Sequence, residues 1–224
     1  MTNQEFSNEF DVILNSYDKL PFRIILDEYE KSVFLTLAQE SIIKSIYGEN
    51  GGMFEKTEMT RRALSKLVTS YDTNMLHNIT YFKDAYSIIL PEDLLYIVLE
   101  WADTETNINV EVTPITMDEY HRISKNPFRG TTNNRILRMD QDSEIILISK
   151  NKPVKYYCEY IKKPNPIVLI NLPDGLSIND ITTESTTDVD ESLHRDILLK
   201  AVEMAVKSKT LGLQKNNDNN KSQE

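Results

Sequence analysis

Residues 27–62, DEYEKSVFLTLAQESIIKSIYGENGGMFEKTEMTRR, specify two helices and a glycine break, and they supply no group suited to chemistry. Asp27 is placed to cap a helix whose i, i+4 row of Phe34, Ala38, Ile42 and Ile46 buries one side. That row leaves Glu28, Glu30, Lys31, Gln39, Glu40 and Lys44 for water. Gly48 is expected to end this helix, with Gly51 and Gly52 loosening the turn. Thr57 then precedes an Arg-rich helix over 58–69, with Ala63, Leu64, Leu67 and Val68 on one face and Arg61, Arg62 and Lys66 near another. The pair reads as a helical hairpin, and a hairpin without reactive groups points to assembly.

Outward from the hairpin, residues 3–17 carry Phe6, Phe10, Ile13, Leu14 and Tyr17 at helical spacing, and Pro21 separates this short helix from the hairpin. Between Tyr86 and Lys163 the period shifts toward two. Strands are expected at YSIIL, at LLYIVLEWAD and INVEVTPIT around a TETN turn, and at RILRM, EIILISK and VKYYCEYIK, with Asn151 to Pro153 turning the last hairpin. One short helix, 117–125, interrupts them, with Thr116 and Glu119 as a capping box and Asn126-Pro127 as the stop.

After Pro164, Pro166 and Pro173 a polar acidic stretch leads into a last helix. This helix has Leu193, Ile197, Ala201, Met204 and Ala205 on one stripe, Asp188, Asp190 and Glu191 at its N-terminus, and an expected end near Gly212. The remainder, LQKNNDNNKSQE, is polar and buries too little to order on its own. The fold expected is α+β: an N-terminal helical hairpin and a long C-terminal helix with an antiparallel sheet or sandwich. Its organisation is a helical region 1–75, a mainly antiparallel β region 76–175, a linker and helix 176–212, and a tail 213–224.

Composition narrows the function. A chain of 224 residues that is 40% hydrophobic can bury a core, as one composite domain or as two closely joined units. Lys and Arg total 25 against 35 Asp and Glu, a formal charge of −10, which disfavours duplex DNA as a ligand of the average surface. An acidic wall lets DNA pass without holding it. No stretch reaches the ~20 apolar residues of a membrane span, and MTNQEFSNEF lacks the basic and apolar regions of a leader, so a cytoplasm-like setting with no membrane contact is expected.

Catalytic and metal-ligating patterns are sparse. His77, His121 and His194 form no i, i+4 pair, and Cys158, the only cysteine, sits in an alternating strand where a buried structural thiol is expected. Asp140, Asp142 and Glu144 alternate as cation ligands do, but without the glycine and distal glutamate of a calcium loop they read as solvated turn acids. The six glycines form no phosphate cradle. No enzyme activity, cofactor or metal is therefore expected. Lys150, Lys152, Lys155, Lys162 and Lys163 interleave with Tyr156, Tyr157 and Tyr160, a pattern that faces an acidic partner, nucleic acid or a protein interface. The 11 tyrosines suit broad contact surfaces.

Four segments in order carry a family likeness: TNQEFSNEFDVILNSY, then DEYEKSVFLTLAQE with its glycine break and FEKTEMTRRALSKLV, then YYCEYIKKPNPI, then ESLHRDILLKAVEMAV. Together they resemble a virion structural protein of the crAss-like tailed bacteriophages. YYxxYIKKP is also similar to a strand of podovirus head-to-tail adaptors, a fold-level analogy. The resemblance implies a dodecameric closed ring of this chain in the tail barrel, beneath the portal and above the next tail ring protein. It also implies an axial channel through which the genome and cargo proteins leave the capsid. The protein would belong to the virion, at the head-tail interface, after assembly in the host bacterial cytoplasm. Expected partner contacts are Arg61, Arg62, Tyr156, Tyr160, Lys163, Lys215, Asn216 and Asn217. The competing readings are a capsid cargo or scaffolding protein, and a soluble intracellular enzyme or regulator.

Overall fold

A computed structural model describes residues 1–16, 24–49, 58–142 and 144–221. The chain is α+β, and it divides into a helical unit, Met1–Leu67 with Pro164–Glu224, and a β unit, Val68–Lys163.

In the helical unit both early helices start at capping boxes. Thr2 and Glu5 close the first turn of α1 (Asn3–Asn15), and Asp27 and Glu30 close that of α2 (Glu28–Lys44). Helix α1 buries Phe6, Phe10 and Leu14. The buried face of α2 differs from the expected row: Lys31, Ser32, Leu35, Thr36, Ala38, Gln39 and Ile43 are buried, while Phe34, Ile42 and Ile46 are half-buried. Lys31 is 3% exposed, because its ammonium reaches Asp11 at 2.7 Å, Glu28 at 3.0 Å and the Ser7 hydroxyl at 3.1 Å. Burial pulls the Lys31 pKa down, but the hydrogen bonds and charges of Asp11 and Glu28 outweigh it and leave the pKa raised.

The polar face of α2 holds an extended segment, residues 165–169. Ile167 N–H donates to Thr36 Oγ1 at 3.1 Å, which donates back to Ile167 O at 3.3 Å. Leu169 N–H donates to Ser32 Oγ at 3.0 Å, and Gln39 Nε2 donates to Asn165 O at 2.8 Å. In an extended chain the alternate residue faces the other way. Val168 accordingly exchanges backbone hydrogen bonds with Ser185, and its carbonyl also accepts from Asn3 Nδ2 at 3.0 Å. A lone strand is thus satisfied on one edge by helix side chains.

Helix α2 does not stop at Gly48; it passes into a π turn, Ser45–Glu49. The turn glycines Gly51 and Gly52 lie outside the described residues, as do Tyr17 and Pro21. The Arg-rich helix, α3, spans Glu58–Leu64 with a 3-10 turn Ser65–Leu67, and does not reach Thr69. Val68 and Thr69 instead open strand β1 (Val68–Thr73), opposite Ile161 and Tyr160. The last helix runs His194–Lys221, so neither Gly212 nor the start of the polar tail ends it. A lone glycine weakens a helix by about 1 kcal/mol and terminates it only where the chain turns left-handed.

The β unit adds β2 (His77–Ile79), β3 (Ala85–Ile89), β4 (Leu94–Thr104), β5 (Val110–Pro114), β6 (Arg135–Gln141), β7 (Glu144–Ile148) and β8 (Pro153–Lys162). They form one eight-stranded sheet in the order β1-β8-β4-β5-β6-β7-β3-β2. The expected β7–β8 hairpin does not form: β7 pairs with β6 and β3, and β8 with β1 and β4. The single parallel pair, β5 with β6, is bridged by a short helix, here labelled α4 (Tyr120–Ile123), which covers less than 117–125. The Thr116–Glu119 capping box is not made; the Glu119 carboxylate pairs with Arg122 instead.

The sheet curls until its edges approach. Strands β1 and β2 lie at opposite edges yet are joined by residues 74–76, so those edges are within about 14 Å. Tyr71 Oη of β1 donates to Ile89 O of β3 across that seam at 3.2 Å. The concave face packs Ile88, Val110, Val112, Ile136, Ile145 and Leu147 with Tyr156, Cys158 and Tyr160. The convex face packs Leu137, Met139, Ile146 and Ile148 under Ile123. The first six residues of β4, Leu94 to Leu99, are apolar without alternation because two register shifts, between Leu94 and Tyr96 and between Ile97 and Leu99, change which residues face inward.

Candidate assembly surfaces

The alternation of β8 sends Tyr156, Cys158 and Tyr160 inward and Lys155, Tyr157 and Glu159 outward. Tyr156 is 0% exposed and donates to Glu100 Oε2 at 2.9 Å, and Tyr160 donates to Asp93 Oδ1 at 3.0 Å. Tyr156 thus ties the sheet from within, and Tyr160, 5% exposed, lines the groove at the seam between the sheet's edges. Glu100 also meets Arg138 at 3.2 Å, and Arg138 meets Asp140 at 3.3 Å, which makes an ionic group inside the curl. Burial raises the pKa of Glu100 against the lowering effect of Arg138 and Tyr156. Burial likewise pushes the Cys158 thiol up to about 11, so it packs as a thiol and is a poor nucleophile.

The other expected contacts sit as follows. Arg61 and Arg62 are exposed on α3. Lys163 is exposed, with its ammonium on the Glu92 carbonyl at 2.9 Å. Lys215, Asn216 and Asn217 lie on the last turns of the His194–Lys221 helix. The lysines of the basic run are partly matched: Lys155 meets Asp72 at 2.7 Å and Lys152 meets Glu105 at 3.8 Å. Among the described residues no group of three or more His, Cys, Asp and Glu side chains is placed to hold a metal ion. Asp140 is tied to Arg138, and Asp142 occupies the left-handed turn at φ +53° between β6 and β7.

Three outward features of the β unit were not singled out by sequence reasoning. Across the convex wall the register aligns Asp72, Tyr157, Trp101, Glu111 and Arg135 on neighbouring strands. Trp101 and Tyr157 stack there with centroids 5.4 Å apart, and Lys155 lies 4.8 Å over the Tyr157 ring. At the seam, Tyr71, Met75, His77, Ile89, Leu90 and Pro91 line an apolar groove of about 430 Å³. Between α4 and β6, Phe128 stands 86% exposed on a loop that is tightly tied. Asn126 Oδ1 accepts from Phe128 N–H at 2.8 Å, Asn126 O accepts from Gly130 N–H at 2.7 Å, and Arg135 Nη1 donates to Phe128 O at 2.8 Å. The loop needs Gly130, since a Cβ there would stand 2.8 Å from Asn126 O.

A chain with packed interiors, matched charges and rigid outward aromatics has the character of a subunit. Residues 1–217 match the family model described as phage tail ring protein 3/4. The chain belongs to that family of phage tail ring proteins. It is 44% identical over 224 residues to Ring protein 3 of Bacteroides phage crAss001, covering 94% of this chain and 97% of that protein. It is also 32% identical over 228 residues to Ring protein 4/5 of the same phage, covering 92% of each. The expected likeness to a crAss-like phage ring protein is thus established, and the chain is a structural ring protein of a phage particle. Two ring proteins of one phage are thus matched by this tail ring protein over nearly their whole lengths.

Proposed function

We propose that the protein is a subunit of a closed, dodecameric ring in the phage tail barrel, in the stack that joins the portal to the tail. The observation that carries this reading is the family match over residues 1–217, which leaves almost none of the chain for another role. The relatives named Ring protein 3 and Ring protein 4/5 support stacking of rings built on one fold, so an adjacent ring is the natural axial partner, with the portal closing the series. The net charge of −10 suits a channel component along which DNA slides without being held. The role is non-enzymatic, and the particle is assembled in the host cytoplasm.

Native mass spectrometry and light scattering test this directly on the purified chain, alone and mixed with the portal ring or a neighbouring ring protein. The expected result is a closed oligomer, formed alone or on addition of a ring partner. A monomer indifferent to every ring partner overturns the reading.

A further inference from the structure

We propose that ring closure is made by the Phe128 loop of one subunit seated in the seam groove of the next copy of the same chain; this rests on the ring-subunit reading above. A ring needs two different, complementary patches on each subunit, placed so that successive copies turn and close. The β unit offers such a pair. Phe128 is a bare aromatic whose backbone is held by Asn126, Gly130 and Arg135, so binding orders little that is not already ordered. Rigid, desolvated aromatics of this kind dominate interface energies. The groove is an apolar slot walled by Tyr71, Met75, Ile89, Leu90 and Pro91, and Met75 is 73% exposed at its mouth.

Position and charge both match. In the strand order, β5 and β6, which flank the Phe128 loop, are the two central strands, and the groove lies where the two edges meet. In a curled sheet the centre stands across from the seam, so knob and groove point away from each other and cannot satisfy one another within one chain. Exposed Lys125 and Arg129 flank Phe128, whereas exposed Glu92 and Asp93 come directly after Pro91 of the groove wall, against one cation there, Lys163 on the Glu92 carbonyl. This places the local basic rim of an acidic chain opposite an acidic rim, which favours the head-to-tail pairing over knob-to-knob or groove-to-groove contacts.

The test uses the full-length chain carrying Arg129→Cys, which keeps the Phe128 ring, and Met75→Cys together, each alone, and the wild type, treated with a short bismaleimide and read on denaturing gels. Both positions are exposed, and Cys158 is buried, so the engineered thiols are the reactive ones. The double variant is expected to give a ladder of dimers, trimers and higher species, and the single variants no ladder. Light scattering on the wild type runs in parallel. A closed wild-type oligomer with no ladder overturns the proposal and leaves the ring reading standing; a monomer with no ladder, both alone and with the portal ring or a neighbouring ring protein added, overturns both. Phe128→Asp is expected to weaken self-association by about 30-fold or more, with Phe128→Tyr restoring most of it. Unchanged association of Phe128→Asp, in a chain that keeps its thermal transition, also overturns the proposal.

Discussion

Replacing Thr36 by valine keeps the shape of a buried side chain and removes only its hydroxyl, which holds both the N–H and the C=O of Ile167 at 3.1 and 3.3 Å. Each buried backbone group left unpaired costs about 1–3 kcal/mol, with the longer contact counting for less, and the added buried methyl returns roughly 0.8 kcal/mol. The net loss is about 2 kcal/mol, or roughly 4–8 °C in melting temperature for a chain of 224 residues that unfolds as a whole. Urea unfolding gives the free energy, and amide hydrogen exchange localises it: Ile167 should lose protection, and Leu169, held by Ser32, should be less affected. Thr36→Ser, which keeps the hydroxyl, should retain the Ile167 protection. If Thr36→Val stays within about 0.5 kcal/mol of wild type with Ile167 still protected, the account of segment 165–169 as a strand held by helix side chains is wrong.

Arg138→Met leaves Glu100 buried with Tyr156 alone and should cost about 3–5 kcal/mol in urea unfolding, whereas Glu100→Gln/Arg138→Met, which keeps an acceptor for Tyr156, should recover most of it. Gly130→Ala forces a Cβ against the Asn126 and Ile123 carbonyls and should lower stability by about 1–3 kcal/mol. A mobile Phe128 loop, seen as faster amide exchange at Phe128 and Arg129, should accompany that loss. His194 is buried beside Val189 O, and burial, with the N-terminal amine and Lys66 nearby, holds its pKa below the ordinary value despite the opposing Val189 hydrogen bond and Glu191 charge. The unfolded chain then takes up a proton first as pH falls, so stability is present above about pH 6.5 and lost below it. Urea midpoints from about pH 7.5 to 5 should fall more steeply for wild type than for His194→Gln, and parallel slopes would refute the assignment.

The assembly surfaces were the least legible part of the sequence. A tyrosine in an alternating strand is assigned to one side only when the register is known; of Tyr156, Tyr157 and Tyr160 the middle one faces out. Phe128 comes after Asn126-Pro127, which read as a helix stop, and the groove is lined by residues from β1, the 74–76 link and β3 that meet only when the sheet curls. The fact that Gly130 and an Asn-Pro pair sit on either side of a bare phenylalanine was the one local signal for that knob.

What the sequence determined by itself is whatever depends on neighbours a few residues away. Thr2 and Asp27 cap their helices because an N-cap needs only the amide two or three positions on, and the six strands from β3 to β8 announce themselves by period and β-branched content. Family membership, too, was carried by four local runs in order. Tertiary structure decided what depends on a distant partner. Val68–Thr73 is a strand and not a helix end because β8 is there to pair with it. Lys31 and Gln39 are buried because Asp11 and the Asn165 carbonyl receive them. Local periodicity ranks the faces of an element, but which face is covered, and by what, is set by the element that packs against it.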